Sequence, residues 1–145
     1  MDSQQLEIIG RGHLMASLLD GGIEVALPIR DRGVDLIAYV DQGSQFDARP
    51  IQLKTSARPT FAVWEKYSKI AGLLIVHVWL QPAVEILAMT YGQSLAAAQH
   101  FNWTSTNSWR EKGYYRTPSP TKTHVEYLNR HLIQPSEWRE LITVK

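Results

Sequence analysis

Two short segments on either side of a polar connection set the tightest limit on what this chain can fold into. From Gly33 it reads G-V-D-L-I-A-Y-V, and from Arg49 it reads R-P-I-Q-L-K-T-S. In both, Val, Ile, Leu and Tyr alternate with residues of opposite character, the period-two pattern of a half-buried β-strand. The connection Asp41–Ala48 is polar and holds a turn-forming glycine, Gly43, so an antiparallel pair is expected. Side chains alternate faces along a strand. Asp35, Ile37 and Tyr39 therefore share one face of the first strand. On the second, Gln52 and Lys54 share a face while Ile51, Leu53 and Thr55 point the other way. Pairing brings the start of the first strand beside the end of the second, and so Asp35 beside Gln52 and Lys54.

Those three groups make chemical sense together. A carboxylate is a hard oxygen ligand for Mg²⁺, and the Gln52 amide oxygen or the Leu53 carbonyl would add further oxygens. A lysine nearby orients an attacking water or neutralises charge growing on a phosphoryl oxygen. With its Asp at the head of one strand and Gln-x-Lys near the end of the next, the chain resembles the PD-(D/E)xK nuclease superfamily. It is most similar to the small Holliday-junction-resolvase-like and intron-endonuclease-like members, over roughly Leu6 to Leu80. The resemblance implies a metal-binding Asp35, a second ligand position at Gln52, a catalytic Lys54, and Mg²⁺ or Mn²⁺ as cofactor. It departs from the family at Gln52, where an acid is usual, and at Val34, where the family name has Pro. A glutamate on the first helix often completes the family's site. Here Arg11 or His13 falls near that place, and Glu7, one turn earlier, is the only carboxylate available. The plainer alternative is that Asp35 merely ends a strand and Lys54 reaches out from a sheet edge.

Length and composition bound the rest. A chain of 145 residues suits one domain with one core, 44% of the residues are hydrophobic and 20% charged, and there is no cysteine. Disulfides and thiolate metal sites are therefore excluded, and a cytoplasmic location is expected. The amino terminus M-D-S-Q-Q-L-E lacks the blocks of a signal peptide, and the longest apolar run, Ile70–Leu80, is too short to span a bilayer. The net charge of +1 speaks against a nonspecific DNA coat without excluding a local basic cleft.

Along the chain, Ser3–Leu19 reads as a helix with Ser3 as N-cap and a stripe centred on Ile8, Met15, Leu18 and Leu19, stopped by Gly21-Gly22. Ile23–Ile29 reads as a strand. Arg30 and Arg32 follow in a charged turn, and Arg58 in the loop after Lys54; guanidinium groups there suit phosphate contact, or equally surface pairing with Asp31 and Asp47. Phe61–Ile70 fits a strand or a helix. Gly72–Leu80 reads as the central strand, with His77 a buried histidine, and Val84–Thr90 returns from it as a hairpin. Tyr91–Phe101 reads as a helix. Asn102–Thr123 reads as a long aromatic and basic loop, whose Trp103, Trp109, Tyr114 and Tyr115 either pack over the sheet or stack on bases beside Arg110, Lys112 and Arg116. Helices are expected at Thr123–Ile133 and from Pro135. No glycine-rich phosphate loop, H-E-x-x-H or nucleophile elbow is present.

The expected fold is α/β, a restriction-endonuclease-like mixed sheet flanked by helices, in one nuclease-like domain over residues 1–145. Its core is expected over about 3–101, with an aromatic, basic and helical C-terminal part over 102–145. The expected function is Mg²⁺-dependent endodeoxyribonuclease. Asp35, Gln52, Leu53 and Glu7 would be its ligands, Lys54 its amine, and Arg30, Arg32, Arg58, Arg110, Lys112 and Arg116 its DNA contacts. The alternative is a catalytically inactive nuclease-like DNA-binding or protein-interaction module. The resemblance also implies a homodimer, and the short apolar runs imply no membrane partner.

Overall fold

The computed structural model describes residues 1–143, so the last two positions of the C-terminal part lie outside it. It is α/β. A five-stranded mixed sheet runs in the order β1 (Glu24–Ala26), β2 (Leu36–Asp41), β3 (Phe46–Ser56), β5 (Leu74–Trp79), β6 (Glu85–Thr90). Neighbours are antiparallel except β3 and β5, which are parallel. The parallel pair requires a crossover, and the crossover carries β4 (Phe61–Trp64) and a 3₁₀ turn at Glu65–Lys69. The ambiguous Phe61–Ile70 segment is therefore strand first and turn second. β3, not the Gly72–Leu80 strand, holds the middle of the sheet.

Alternate residues of β5 feed two different cores, which is why the strand is buried along its whole length and apolar but for His77. Leu74, Val76 and Val78 join Leu14 and Leu18 of α1 (Ser3–Asp20) and Trp138 and Ile142 of α5 (Trp138–Thr143) on one face. Trp79 joins Phe61 and Val63 of β4, Ala97 and Ala98 of α2 (Tyr91–His100) and Leu128 of α4 (Lys122–Leu128) on the other. Trp138 further anchors α5 by donating its indole N–H to Ser17 Oγ of α1 at 2.8 Å.

Four expectations are corrected. Asp2, not Ser3, caps α1, through a capping box with Gln5. The buried side of that helix is Gly10, Leu14 and Leu18, while Ile8 and Leu19 are more than half exposed. The 102–123 segment is not a loop but a 3₁₀ turn at Trp103–Ser105, α3 (Asn107–Lys112) and β7 (Tyr114–Thr117). β7 pairs antiparallel with β4 as a second, two-stranded sheet. Gly113, at φ +64°, ends α3 and accepts the Glu65 N–H at 2.7 Å, which ties the crossover turn to this segment. The expected strand over Ile23–Ile29 shortens to Glu24–Ala26, since Pro28 has no N–H to extend it. Among the described residues no helix is long and apolar enough to cross a membrane.

Gly10 fixes how closely α1 lies on the sheet, because a Cβ there would run into the Thr55 side chain of β3. Gly12, two residues on, faces open space. Alanine favours a helix over glycine by about 1 kcal/mol. Gly12→Ala is thus expected to raise the urea midpoint, whereas Gly10→Ala should lose about 1–3 kcal/mol to overpacking. Equal responses of the two variants in urea denaturation would refute this account of the helix–sheet contact.

Candidate active site

β3 outruns its partner. β2 and β3 pair from Leu36↔Ile51 to Asp41↔Phe46, while Gln52–Ser56 continue alongside β5, from Gln52↔Ile75 to Ser56↔Trp79. Over those last residues the β2 side of β3 is open. Asp35 closes the first step of the gap. Its N–H donates to the Ile51 carbonyl at 2.8 Å, and its Oδ2 accepts the Leu53 N–H at 2.7 Å. The same oxygen accepts from Gln52 Nε2 at 2.9 Å. A carboxylate here substitutes for the missing strand carbonyl, and Oδ1 stays outside these hydrogen bonds. The N–H and C=O of a strand residue point to the same edge, so the Leu53 carbonyl also faces the open side, with a long 3.4 Å approach from Gln52 Nε2.

Asp35 and Gln52 therefore meet as the strand pairing requires, but the amide turns its nitrogen to the carboxylate. A metal ligand at Gln52 needs the oxygen there, a half-turn of the amide away. Burial raises the Asp35 pKa; the Leu53 N–H lowers it, Asp31 and Glu7 raise it, and Lys54 lowers it. Carboxylates thus converge on this point in the field they exert. Among the described residues no group of three or more His, Cys, Asp or Glu is placed to hold a metal. That donor count argues against a metal caged entirely by protein. Mg²⁺ is less demanding, since it keeps several waters and is held by one or two carboxylates plus substrate phosphate. Asp35 and the Leu53 carbonyl lie together at that edge, while Glu7 acts on Asp35 through its charge and lines, with Leu53 and Lys54, a cavity that Asp35 and Gln52 do not line.

Lys54 extends from the other side of the strand to Leu53. Its Nζ lies 5.2 Å from the Tyr67 ring centre and 5.9 Å from that of Trp64. Burial lowers its pKa, Asp35 raises it and Lys66 lowers it; the balance is downward. Lys54, Thr55, His77, Arg116, Glu7 and Ser3 line a cavity of about 250 Å³ at the open edge. Glu7 shares a cavity with Lys54, while His13 is exposed and Arg11 half-exposed on the same helix. Thr55 lies on the face packed by α1, and Lys54 on the opposite one, so the cavity wraps round the edge of β3.

The expected cations divide into two groups. Arg116 of β7 enters the Lys54 cavity, and Lys112 lines a neighbouring cleft with Trp64, Lys66 and Lys69. Arg32 lines a third cleft with Lys66 and Tyr67. Arg30, Arg58 and Arg110 are exposed on a turn, a loop and α3. The aromatic residues of the same segment serve packing more than display. Trp103 is buried against Phe61, 5.3 Å between ring centres, and stacks on Tyr115 at 5.0 Å. Tyr114 meets Trp64 at 4.9 Å.

Lys66, Lys69, Thr55 and His77 were not foreseen at the site. The two lysines come from the crossover turn after β4 and line the neighbouring cleft, Lys66 near enough to lower the Lys54 pKa. His77 is the cross-strand partner of Lys54 and lies against Phe61, 5.6 Å between ring centres and 11° from parallel. Burial pushes its pKa down to about 3, with Lys54 adding to the fall. Comparison with family models, with curated proteins and with solved structures found no match.

The depressed His77 pKa sets a pH dependence. Above about pH 6.5 the imidazole is neutral in both folded and unfolded chains. From there down to about 3 only the unfolded chain takes the proton, so stability falls with pH, by about 1.4 kcal/mol per unit. His77→Phe keeps a ring against Phe61 and is expected to remove that slope. Urea midpoints of the two proteins at pH 7 and pH 5 measure it, and parallel losses in both would contradict the assignment.

Proposed function

We propose that this chain is a Mg²⁺- or Mn²⁺-dependent endodeoxyribonuclease of the PD-(D/E)xK type, with a restriction-endonuclease-like fold. The observation that supports it best is the open end of β3, where Asp35, just ahead of β2, binds the Leu53 N–H and feels the charges of Glu7 and Lys54, which line the adjoining cavity with Leu53. Asp35, through Oδ1, and the Leu53 carbonyl would hold the cation, with Glu7 reaching it directly or through water. A bound divalent ion in such a site lowers the pKa of water and neutralises charge on the phosphoryl oxygens.

The residues of the chain do the rest. Asp35 is held rigid by its two hydrogen bonds to β3, so its free oxygen has a fixed direction. Lys54, desolvated against Tyr67 and Trp64, carries an amine whose depressed pKa eases hydrogen-bonding to the attacking water. Arg116 at the cavity, and Arg32 and Lys112 in the flanking clefts, lie where neighbouring phosphates would run. Arg30, Arg58 and Arg110 would add weaker contacts from the periphery. A cytoplasmic location and a homodimeric working form belong to this reading.

One observation favours a second reading, a nuclease-like module that binds DNA or protein without cleaving. The Gln52 amide presents nitrogen, not oxygen, to Asp35. Saturable Mg²⁺ or Mn²⁺ binding that disappears in Asp35→Asn separates the two readings.

Asp35→Asn retains an acceptor for the Leu53 N–H, and Lys54→Ala removes only an amine and its stem. Both are expected to keep the far-UV spectrum and thermal transition of a folded chain. Each should lose Mg²⁺-dependent cleavage of duplex or branched DNA by about 10²–10³-fold. Undiminished cleavage in both variants would reject the mechanism.

A further inference from the structure

The sheet is covered on the whole of one face and on only half of the other. Leu36, Ala38 and Val40 of β2 turn toward α1 and α5, so Ile37, Tyr39 and Asp41 turn the opposite way. On that second face, α2 and the β4–β7 sheet lie over β5 and β6. Over β1, β2 and the first half of β3, the register sets Ala26, Ile37, Tyr39, Ala48 and Phe46 side by side. None of these five belongs to any of the three apolar clusters of the interior. Phe46 is 62% exposed and stacks on Tyr39, with 5.3 Å between ring centres. Just past β1, Leu27 is more than half exposed and Ile29 fully so.

Charge decides what such a face suits. Glu24 and Asp41, both exposed, stand at one end of it, opposite Tyr39 and Phe46 in the ladder. Arg30 and Arg32 lie at the other end, in the segment that leads back into β2. They outnumber Asp31, whose carboxylate accepts the Gly33 N–H at 3.2 Å. Arg32 shares a cleft with Lys66 and Tyr67, and Tyr67 packs with Ile75, so this cationic end belongs to the second face. The six residues of β2 separate the two ends by about 20 Å. The acids repel a nucleic-acid backbone or an anionic membrane, and the three-residue β1, stopped by Pro28, offers little edge to an added strand. A face with acid at one end and base at the other is complementary to itself. A two-fold axis across the strands lays β2 antiparallel on its copy and sets Glu24 and Asp41 of one opposite Arg30 and Arg32 of the other. An axis along the strands would set acid on acid.

We infer that the open half of this face is where two copies of the chain meet, sheet against sheet at about 10 Å, with Ile37 and Tyr39 near the centre and the charged ends crossed. Three short strands and the segment after β1 make a patch at the small end of specific interfaces, so the pair is reversible and comes apart on dilution. Asp35, one residue ahead of β2, then stands at opposite ends of the interface in the two copies, which leaves both candidate sites at its rim. The surface gives the homodimer of the nuclease reading a place. It stands on the uncovered face and its charges, and does not need cleavage.

Sedimentation velocity of the wild-type chain over a dilution series is expected to show a monomer–dimer equilibrium. Phe46→Ser, a change at an exposed position, should keep the far-UV spectrum of the folded chain and weaken the dimer about tenfold. Two further variants reverse the charged ends: Glu24→Lys with Asp41→Lys, and Arg30→Glu with Arg32→Glu. Each alone should weaken association by about tenfold or more. Their equimolar mixture should recover the wild-type affinity, because every facing pair is again of opposite charge. A monomer at every concentration, a dimer indifferent to Phe46→Ser, or a mixture no tighter than its components would overturn the interface. A dimer through this face without Mg²⁺-dependent cleavage would uphold the interface and sink the nuclease reading; cleavage by a strictly monomeric chain would do the reverse.

Discussion

A single carboxylate closes the place where the sheet loses a strand. β3 needs partners on both edges, and β2 supplies them only as far as Leu36. Beyond that point a buried, unpaired Leu53 N–H would cost about 1–3 kcal/mol. Asp35 takes that N–H with a side-chain oxygen while its own N–H continues the ladder to Ile51. The sheet is thereby held together one step past its last strand pair, and stops there. Everything beyond, from the Leu53 carbonyl to Ser56, faces a gap that α1 borders and β7 approaches. The cavity exists because one strand ends before the other.

The second sheet gives that gap its electrostatic character. β4 and the turn after it bring Trp64 and Tyr67 to the Lys54 amine, while β7 sets Arg116 in its cavity and Lys66, Lys69 and Lys112 line the neighbouring cleft. Lys66 lies 3.4 Å over the centre of the Trp64 ring, a cation–π contact that fixes one of these charges in place. A chain of net charge +1 can therefore hold a local concentration of cations beside a local concentration of acids. The overall balance reports neither.

Period-two alternation made the β2–β3 pair, its direction and the Asp35–Gln52 meeting legible, because strand side chains alternate whatever surrounds them. The hairpin of β5 and β6 was legible for a similar local reason. The buried face of α1 was not. Its closest approach to the sheet is made by Gly10, which carries no hydrophobic signal, and Ile8 and Leu19 are apolar yet turned outward. The 102–123 segment also misled, since its polar composition hides a short strand whose partner lies fifty residues earlier. Such pairing is set by tertiary contact, and four residues of Y-Y-R-T hold too little pattern to announce it. His77 was legible as buried, but its neighbour across the ladder, Lys54, is fixed by the parallel register of β3 and β5, which no local signal encodes.

Asp35 and Lys54 are of opposite charge and near enough to feel one another, yet each is pushed toward its neutral form. Their mutual attraction works against both shifts, so burial outweighs it in each case. For Asp35 the surrounding acids, Asp31 and Glu7, add to the strain; for Lys54 it is Lys66. A closer Asp35–Lys54 contact would ease both, but Asp35 is committed to β3 and Lys54 to the aromatic wall. What relieves such an arrangement is a pair of outside charges: positive beside the carboxylates and negative beside the amine and Arg116. In the nuclease reading proposed above, a divalent cation beside Asp35 and a substrate phosphate oxygen beside Lys54 would be such a pair.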